Sequence, residues 1–192
     1  MQRKNLSDAV CPVARSLEQV GEWWSMLILR DALAGLTRFD EFQKSLSIAP
    51  NMLSRRLNAM VESKLLERRQ YCDRPPRFEY VPTARGRDFQ PVLWALLAWG
   101  NKHCTAEGAG VHIANAKTGA IADPVLVDRA TGKPLTDVEF HLVCGPKAAA
   151  AAKERVAAVN AKRVASTKKV ASKKASGSGA NAGSSRVSKR KN

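Results

Sequence analysis

The chain has 192 residues, 44% of them hydrophobic, and carries 32 Lys/Arg against 17 Asp/Glu for a formal net charge of +15. That apolar share supplies one buried core of ordinary size, while the absence of a membrane-length apolar run or a secretory leader argues against a membrane or secreted protein and for a cytoplasmic one. Cys11, Cys72, Cys104 and Cys144 lie far apart with no Cys-x-x-Cys spacing, which excludes a sequence-evident zinc or thioredoxin-like motif and fits thiols kept reduced.

The first ten residues are polar and read as an arm. Pro12 suits the first turn of a helix running to about Val20, and Gly21 breaks it. Residues 23–33, WWSMLILRDAL, read as a largely buried helix through Trp24, Leu27 and Ile28, ended by Gly35. Thr37 or Arg38 opens the next helix, with Phe39, Phe42 and Leu46 turned inward. Ser47-Ile48-Ala49 is a tight turn. Pro50 then starts a helix to about Ser63, on which Leu53, Leu57, Met60, Val61 and Leu65 fall on one side at helical spacing. The same projection leaves Asn51, Met52, Arg55, Asn58 and Ala59 on or near the far side, with Ser54 close by and Arg56 flanking.

Two apolar-aromatic runs, 66–71 and 78–82, flank a proline break and predict a β-hairpin. Arg68, Arg69, Arg74 and Arg77 make that hairpin basic. A helix, a tight turn, a second helix and a basic hairpin, in that order, predict an α+β winged helix-turn-helix, mainly helical with a β-hairpin wing. That shape lays its second helix in the major groove of double-stranded DNA. Candidate DNA-contacting residues are therefore Asn51, Met52, Ser54, Arg55, Arg56 and Asn58 on the helix and Arg68, Arg69, Arg74 and Arg77 on the wing. Arg55 and Arg56 suit guanine edges and phosphate alike. Ser54 reads equally as a phosphate donor and as a solvated hydroxyl.

Thr83 is a candidate cap, and 87–102 predict a last helix. Phe89, Leu93, Leu96 and Leu97 give it more apolar surface than a solvent-facing helix carries, so these four are the candidate interface of a homodimer. Residues 105–145 change character. Runs at 111–114, 124–127 and 138–143, separated by turn-like 115–119 and 128–132, predict a small three-stranded β appendage. The expected divisions are 1–104 for the winged-helix and dimerisation domain, 105–145 for the appendage and 146–192 for a basic tail.

Charge follows these divisions: the net is +5 over 1–104, −2 over 105–145 and +12 over 146–192. The last segment is Ala, Lys, Ser and Val. Residues 148–165 have helix-forming composition without a sizeable apolar stripe, and 166–192 are expected to be disordered. A polycationic tail of this kind binds DNA without reading sequence, through counterion release. No Ser/His/Asp set, phosphate loop, dinucleotide fingerprint or ligand-spaced histidine appears, so no enzymatic activity, cofactor or metal is expected.

The chain resembles the HxlR-type family of bacterial winged-helix transcription regulators, relatives of the MarR group. The resemblance covers 11–103 and rests on Cys11-Pro12-Val13, Gly21-Glu22-Trp23-Trp24, Leu27-Ile28-Leu29-Arg30, Arg38-Phe39-Asp40-Glu41-Phe42, the run from Ile48-Ala49-Pro50 through Arg55-Arg56-Leu57, and Leu65-Leu66-Glu67-Arg68, all in this order. It implies a cytoplasmic homodimer at the nucleoid that binds an operator and usually represses transcription. Some relatives carry metal-binding cysteines after the position of Cys104. Here the comparable places read Lys117-Thr118-Gly119 and Asp128-Arg129-Ala130-Thr131-Gly132, so the turn glycines remain without thiolates and the appendage is expected to be metal-free. Some relatives also have an N-terminal cysteine that responds to oxidants or electrophiles. Cys11 is the candidate redox sensor, since a helix start favours the thiolate; its other reading is a small packed apolar side chain. The tail resembles those of linker histones and some nucleoid proteins. The competing reading of the whole chain is therefore an architectural nucleoid protein driven by its tail.

Overall fold

The computed structural model describes residues 5–177, with side chains described through residue 163. The chain divides into two compact units, Met1–Thr136 and Asp137–Asn192. Composition places the divisions after residues 104 and 145; in the fold, 105–136 belong to the first unit and 137–145 to the second.

In the first unit, α1 (Pro12–Val20) has proline in its first turn and Cys11 as its N-cap. It ends at Gly21 because the chain turns too sharply for a side chain: a Cβ there would lie 2.2 Å from the Leu17 carbonyl oxygen. Then α2 (Trp23–Leu33) passes through the centre, with Ile28 and Leu29 fully buried. Gly35, at φ 106°, reverses the chain after it. At the start of α3 (Phe39–Leu46), the Glu41 carboxylate accepts the backbone N–H groups of Thr37 and Arg38, both at 2.8 Å. Those two bonds hold its carboxyl below the usual carboxylate range. Left-handed Ser47 closes α3, and Ile48 buries itself in the turn.

Pro50 opens α4 (Pro50–Glu62), which drives Leu53, Leu57 and Met60 into the core beside Phe42. A buried polar contact fastens α3 to α2. Asp31 accepts Ser45 Oγ at 2.7 Å on one carboxylate oxygen and the Arg30 guanidinium at 2.7–2.8 Å on the other. Pairing offsets the penalty of a buried carboxylate.

After left-handed Lys64, β1 (Leu66–Asp73) and β2 (Pro76–Pro82) pair antiparallel, with Arg68 opposite Tyr80 and Arg69 opposite Glu79, and a bulge between Gln70 and Cys72. The residues before α3 add a third edge: Arg38 bridges to Glu79, and Tyr80 N–H donates to the Thr37 carbonyl at 2.7 Å. The turn that Thr83 caps is α5 (Ala84–Arg87), and the expected 87–102 helix is α6 (Gln90–His103), which starts three residues later. Thr83 caps α5 by accepting Gly86 N–H and donates its own hydroxyl to the Lys64 carbonyl. No residue of α6 is fully buried.

The expected appendage forms no three-stranded ladder, but both of its expected turns, 115–119 and 128–132, are in place. Over 105–136 the chain makes two tight turns with single bridges, Ala114 to Ile121 and Val127 to Pro134. Gly119 and Gly132 take φ values of 72° and 70°, which is why the glycines stand there. Asn115 and Asp128 occupy matching places and gather the backbone of the following turn with their side chains. Local polar bonds of this kind satisfy the turns without a ladder, so the apolar runs stay largely exposed.

In the second unit, α7 spans Ala150–Gly177. The helix-forming stretch at 148–165 therefore continues through 166–177, where disorder is expected from composition; alanine and lysine both favour helix. Residues 178–192, the rest of that expectation, lie outside the described residues. The run 138–143 is not a strand. Instead Asn160 donates to the Leu142 carbonyl at 2.7 Å and Arg163 to the Asp137 carbonyl at 3.1 Å, laying the segment along α7. No helix among the described residues is long and apolar enough to cross a membrane.

Candidate nucleic-acid interface

Because α4 spends Leu53, Leu57 and Met60 on the core, its opposite face is set by the helical repeat. That face presents Asn51, Ser54, Arg55 and Asn58, all exposed, with Ala59 among them. Two further residues expected there are placed otherwise. Met52 is half-buried and packs on the core. Arg56 turns away from the exposed face and donates from Nη2 to Glu22 Oε2 at 2.9 Å, with its side chain only 15% exposed. Its place on the α4 contact face is thus not supported by the geometry: the flank of α4 that carries it faces Glu22 at the corner between α1 and α2.

The wing carries all four expected arginines in exposed positions. Arg74 and Arg77 sit at the tip. Arg68 lies over the Phe78 ring, 3.6 Å from its centroid, so its guanidinium is held against the hairpin. Arg69 pairs with Glu67 at 2.9 Å, which lowers the Glu67 carboxyl below its ordinary range and raises the arginine. Part of the Arg69 charge is answered within the wing, and the less encumbered charges are those at the tip. A fifth cation joins them. Arg38, at the N-cap of α3, lies 4.9 Å over the exposed Tyr71 ring of β1. Nothing in the local sequence announces this, because Arg38 and Tyr71 meet only when the α3 start pairs with β2.

A polar helix face next to a row of guanidinium groups suits a polyanionic duplex. Amide and hydroxyl groups on α4 match base edges, and wing cations match phosphates. Of the four residues expected at a dimer interface, only Leu96 is exposed. Phe89 and Leu93 pack on the core, and Leu97 lines a cleft of about 330 Å³ between α6 and the first turn of the 105–136 stretch. The outward stripe of α6 is instead Val92, Leu96 and Trp99, spaced four and three residues apart, with Val13 and Leu17 exposed on α1. The apolar excess is legible from composition; Phe89, Leu93 and Leu97 are half-buried and Leu96 is exposed.

Cys11 stands at the start of α1, half-buried, and no disulfide joins the described cysteines. No group of three or more His, Cys, Asp or Glu among the described residues is placed to share a metal ion.

Comparison with known proteins agrees with this geometry. Residues 19–108 match the family described as HxlR-like helix-turn-helix. The helix-turn-helix-type transcriptional regulator Rv3095 of Mycobacterium tuberculosis is 38% identical over 125 residues, 65% of this chain and 79% of that protein. YdeP of Bacillus subtilis, described in the same terms, is 33% identical over 94 residues, 48% of this chain and 73% of its own. Among solved structures, PA1374 of Pseudomonas aeruginosa, a candidate transcription factor, is 51% identical and superposes with a TM-score of 0.57, covering 76% of this chain and 99% of that one. PA1607, described likewise, is 35% identical with a TM-score of 0.65 over 72% of this chain and 98% of its own. With the winged helix formed, a polar face of α4 exposed, a basic hairpin in place, and these relatives matched over most of their length, the chain belongs to the HxlR-like helix-turn-helix family of DNA-binding transcription regulators.

Proposed function

We propose that the protein is a homodimeric repressor that reads a palindromic operator through α4, holds the duplex backbone with its wing, and adds affinity through its basic tail. The observation that carries this reading is the exposed Asn51, Ser54, Arg55 and Asn58 face of α4, a helix that packs against β1 of the arginine-bearing hairpin. Family membership favours a regulator over an architectural nucleoid protein. Footprinting separates them, since a regulator protects a discrete two-fold site and an architectural protein protects DNA without register.

Arg55 is the residue to test. Its side chain is exposed at the middle of the α4 face, and arginine pairs with the guanine major-groove edge. Arg55→Ala is expected to weaken binding to a duplex selected from a randomised library by about 1–3 kcal/mol and to relax preference at one position of each half-site. Unchanged affinity and unchanged preference in a fluorescence titration would remove Arg55 from the reading surface.

Cys11 is proposed as the thiol that couples redox state to DNA release. Its N-cap position supports this, because the positive end of α1 favours a thiolate and hence oxidation or alkylation. A mild oxidant should lower operator affinity until a thiol reductant restores it, an electrophile should lower it too, and Cys11→Ser should abolish both responses. Mass spectrometry that finds Cys11 unmodified while DNA is released would dismiss the assignment.

A further inference from the structure

We propose that Arg56 is a positioning residue: its ion pair with Glu22 braces the recognition helix against the corner between α1 and α2, and so sets where the reading face of α4 points. This rests on the proposed DNA-reading role of α4.

The apolar packing of α4 leaves something undetermined. Leu53, Leu57 and Met60 fix which side of α4 faces the core, but the hydrophobic force that buries them is itself non-directional. A charge-assisted hydrogen bond is directional. Arg56 supplies one, 2.9 Å long, across 34 residues of sequence, with the two side chains 15% and 31% exposed. The guanidinium is also withdrawn far enough that its Nε is buried without an acceptor among the described residues. An arginine serving phosphate would not be held in that way.

The anchor is stiff. Glu22 is the N-cap of α2 and directly follows Gly21, whose N–H bonds the Leu17 carbonyl at 2.7 Å and whose backbone leaves no room for a Cβ. The same link carries α1, with Val13 and Leu17 exposed along it. The brace therefore ties the azimuth of the α4 face to the link between α1 and α2. A partly buried ion pair contributes little net stability, so the role assigned to this one is geometric.

The test compares Glu22→Ala, Arg56→Met and the double variant in the full chain, on the library-selected duplex and on a random duplex, across a salt series. Removing a carboxylate from a cationic DNA-binding protein should by charge alone strengthen binding to both duplexes. The brace predicts the opposite sign on the selected duplex: about tenfold weaker binding for either single variant, no greater loss in the double, and little change on random DNA. The dependence of log affinity on log salt should stay that of the unmodified protein. Selected-duplex affinity that is unchanged or raised in Glu22→Ala would overturn the proposal. So would a slope reduced by about 0.9 in Arg56→Met, which marks an arginine that neutralises a phosphate in the unmodified protein. If Arg56→Met does not fold, Glu22→Lys sets a like charge against Arg56 at the N-cap of α2; retained selectivity in that variant would equally overturn it. An unmodified chain that selects no duplex would refute the underlying reading of α4, and this one with it.

Discussion

Replacing Leu96 and Trp99 with glutamate is expected to convert the protein to a folded monomer and to abolish tight operator binding. The two residues belong to the outward stripe of α6, where Val92 is 52%, Leu96 49% and Trp99 58% exposed. No residue of that 14-residue helix is fully buried, although its sequence, QPVLWALLAWGNKH, is mostly apolar. A stripe of this kind is covered by a second copy in the proposed dimer, together with Val13 and Leu17 of α1. Since the side chains are already half-exposed, their loss should cost the protomer little. Burying an unpaired carboxylate in the interface costs on the order of 3–5 kcal/mol per site. A monomer then engages one half-site alone and loses the effective concentration of the tethered second reading head, a factor of at least about 100. Sedimentation velocity checks the oligomeric state and a thermal melt checks the fold. An unmodified chain that sediments as a monomer at micromolar concentration would end the dimer reading.

Deleting residues 146–192 should leave the footprint in place while lowering affinity for operator and random DNA together. The deleted segment carries 13 of the 32 Lys/Arg and one of the 17 Asp/Glu. Such a polycation binds by releasing condensed counterions, a contribution that falls linearly with log salt. The slope should become shallower by about 0.9 for each phosphate that the tail neutralises, so a tail spanning about five phosphates would account for about 4.5. A salt titration of full-length and truncated protein on both duplexes measures this. Helical α7 strengthens the expectation only for charge density, because Asn160 and Arg163 are occupied by the carbonyls of Leu142 and Asp137. Identical slopes would mean that the tail does not touch DNA.

Periodicity is a reliable guide wherever an element buries one face. Pro12, Gly21, Gly35 and Pro50 bound helices, and Leu53, Leu57 and Met60 place α4, because helix ends and apolar stripes are local consequences of backbone geometry. Apolar runs without a partner surface mislead. The 105–136 stretch reads as strands, yet its side chains at Asn115 and Asp128 satisfy the turn backbone locally and no ladder forms. On α6 two apolar stripes compete, and which one faces inward depends on what α2 and the 105–136 stretch leave uncovered.

The sequence by itself determined the winged helix-turn-helix, the exposed Asn51, Ser54, Arg55 and Asn58 face, the basic wing and the cationic tail, since each is written in local spacing, proline and glycine positions, or charge. Only the tertiary structure decided the fate of side chains whose partners lie far along the chain. Arg56 and Arg55 are neighbours with the same chemistry, and Glu22 claims one of them across 34 residues. Asp31 is buried because Ser45 and Arg30 meet it there, and Arg38 joins the wing because the start of α3 pairs with β2. The physical reason is the same in each case: a long polar side chain can satisfy its charge in water or against a partner, and the choice is made by which groups the fold brings within hydrogen-bond distance.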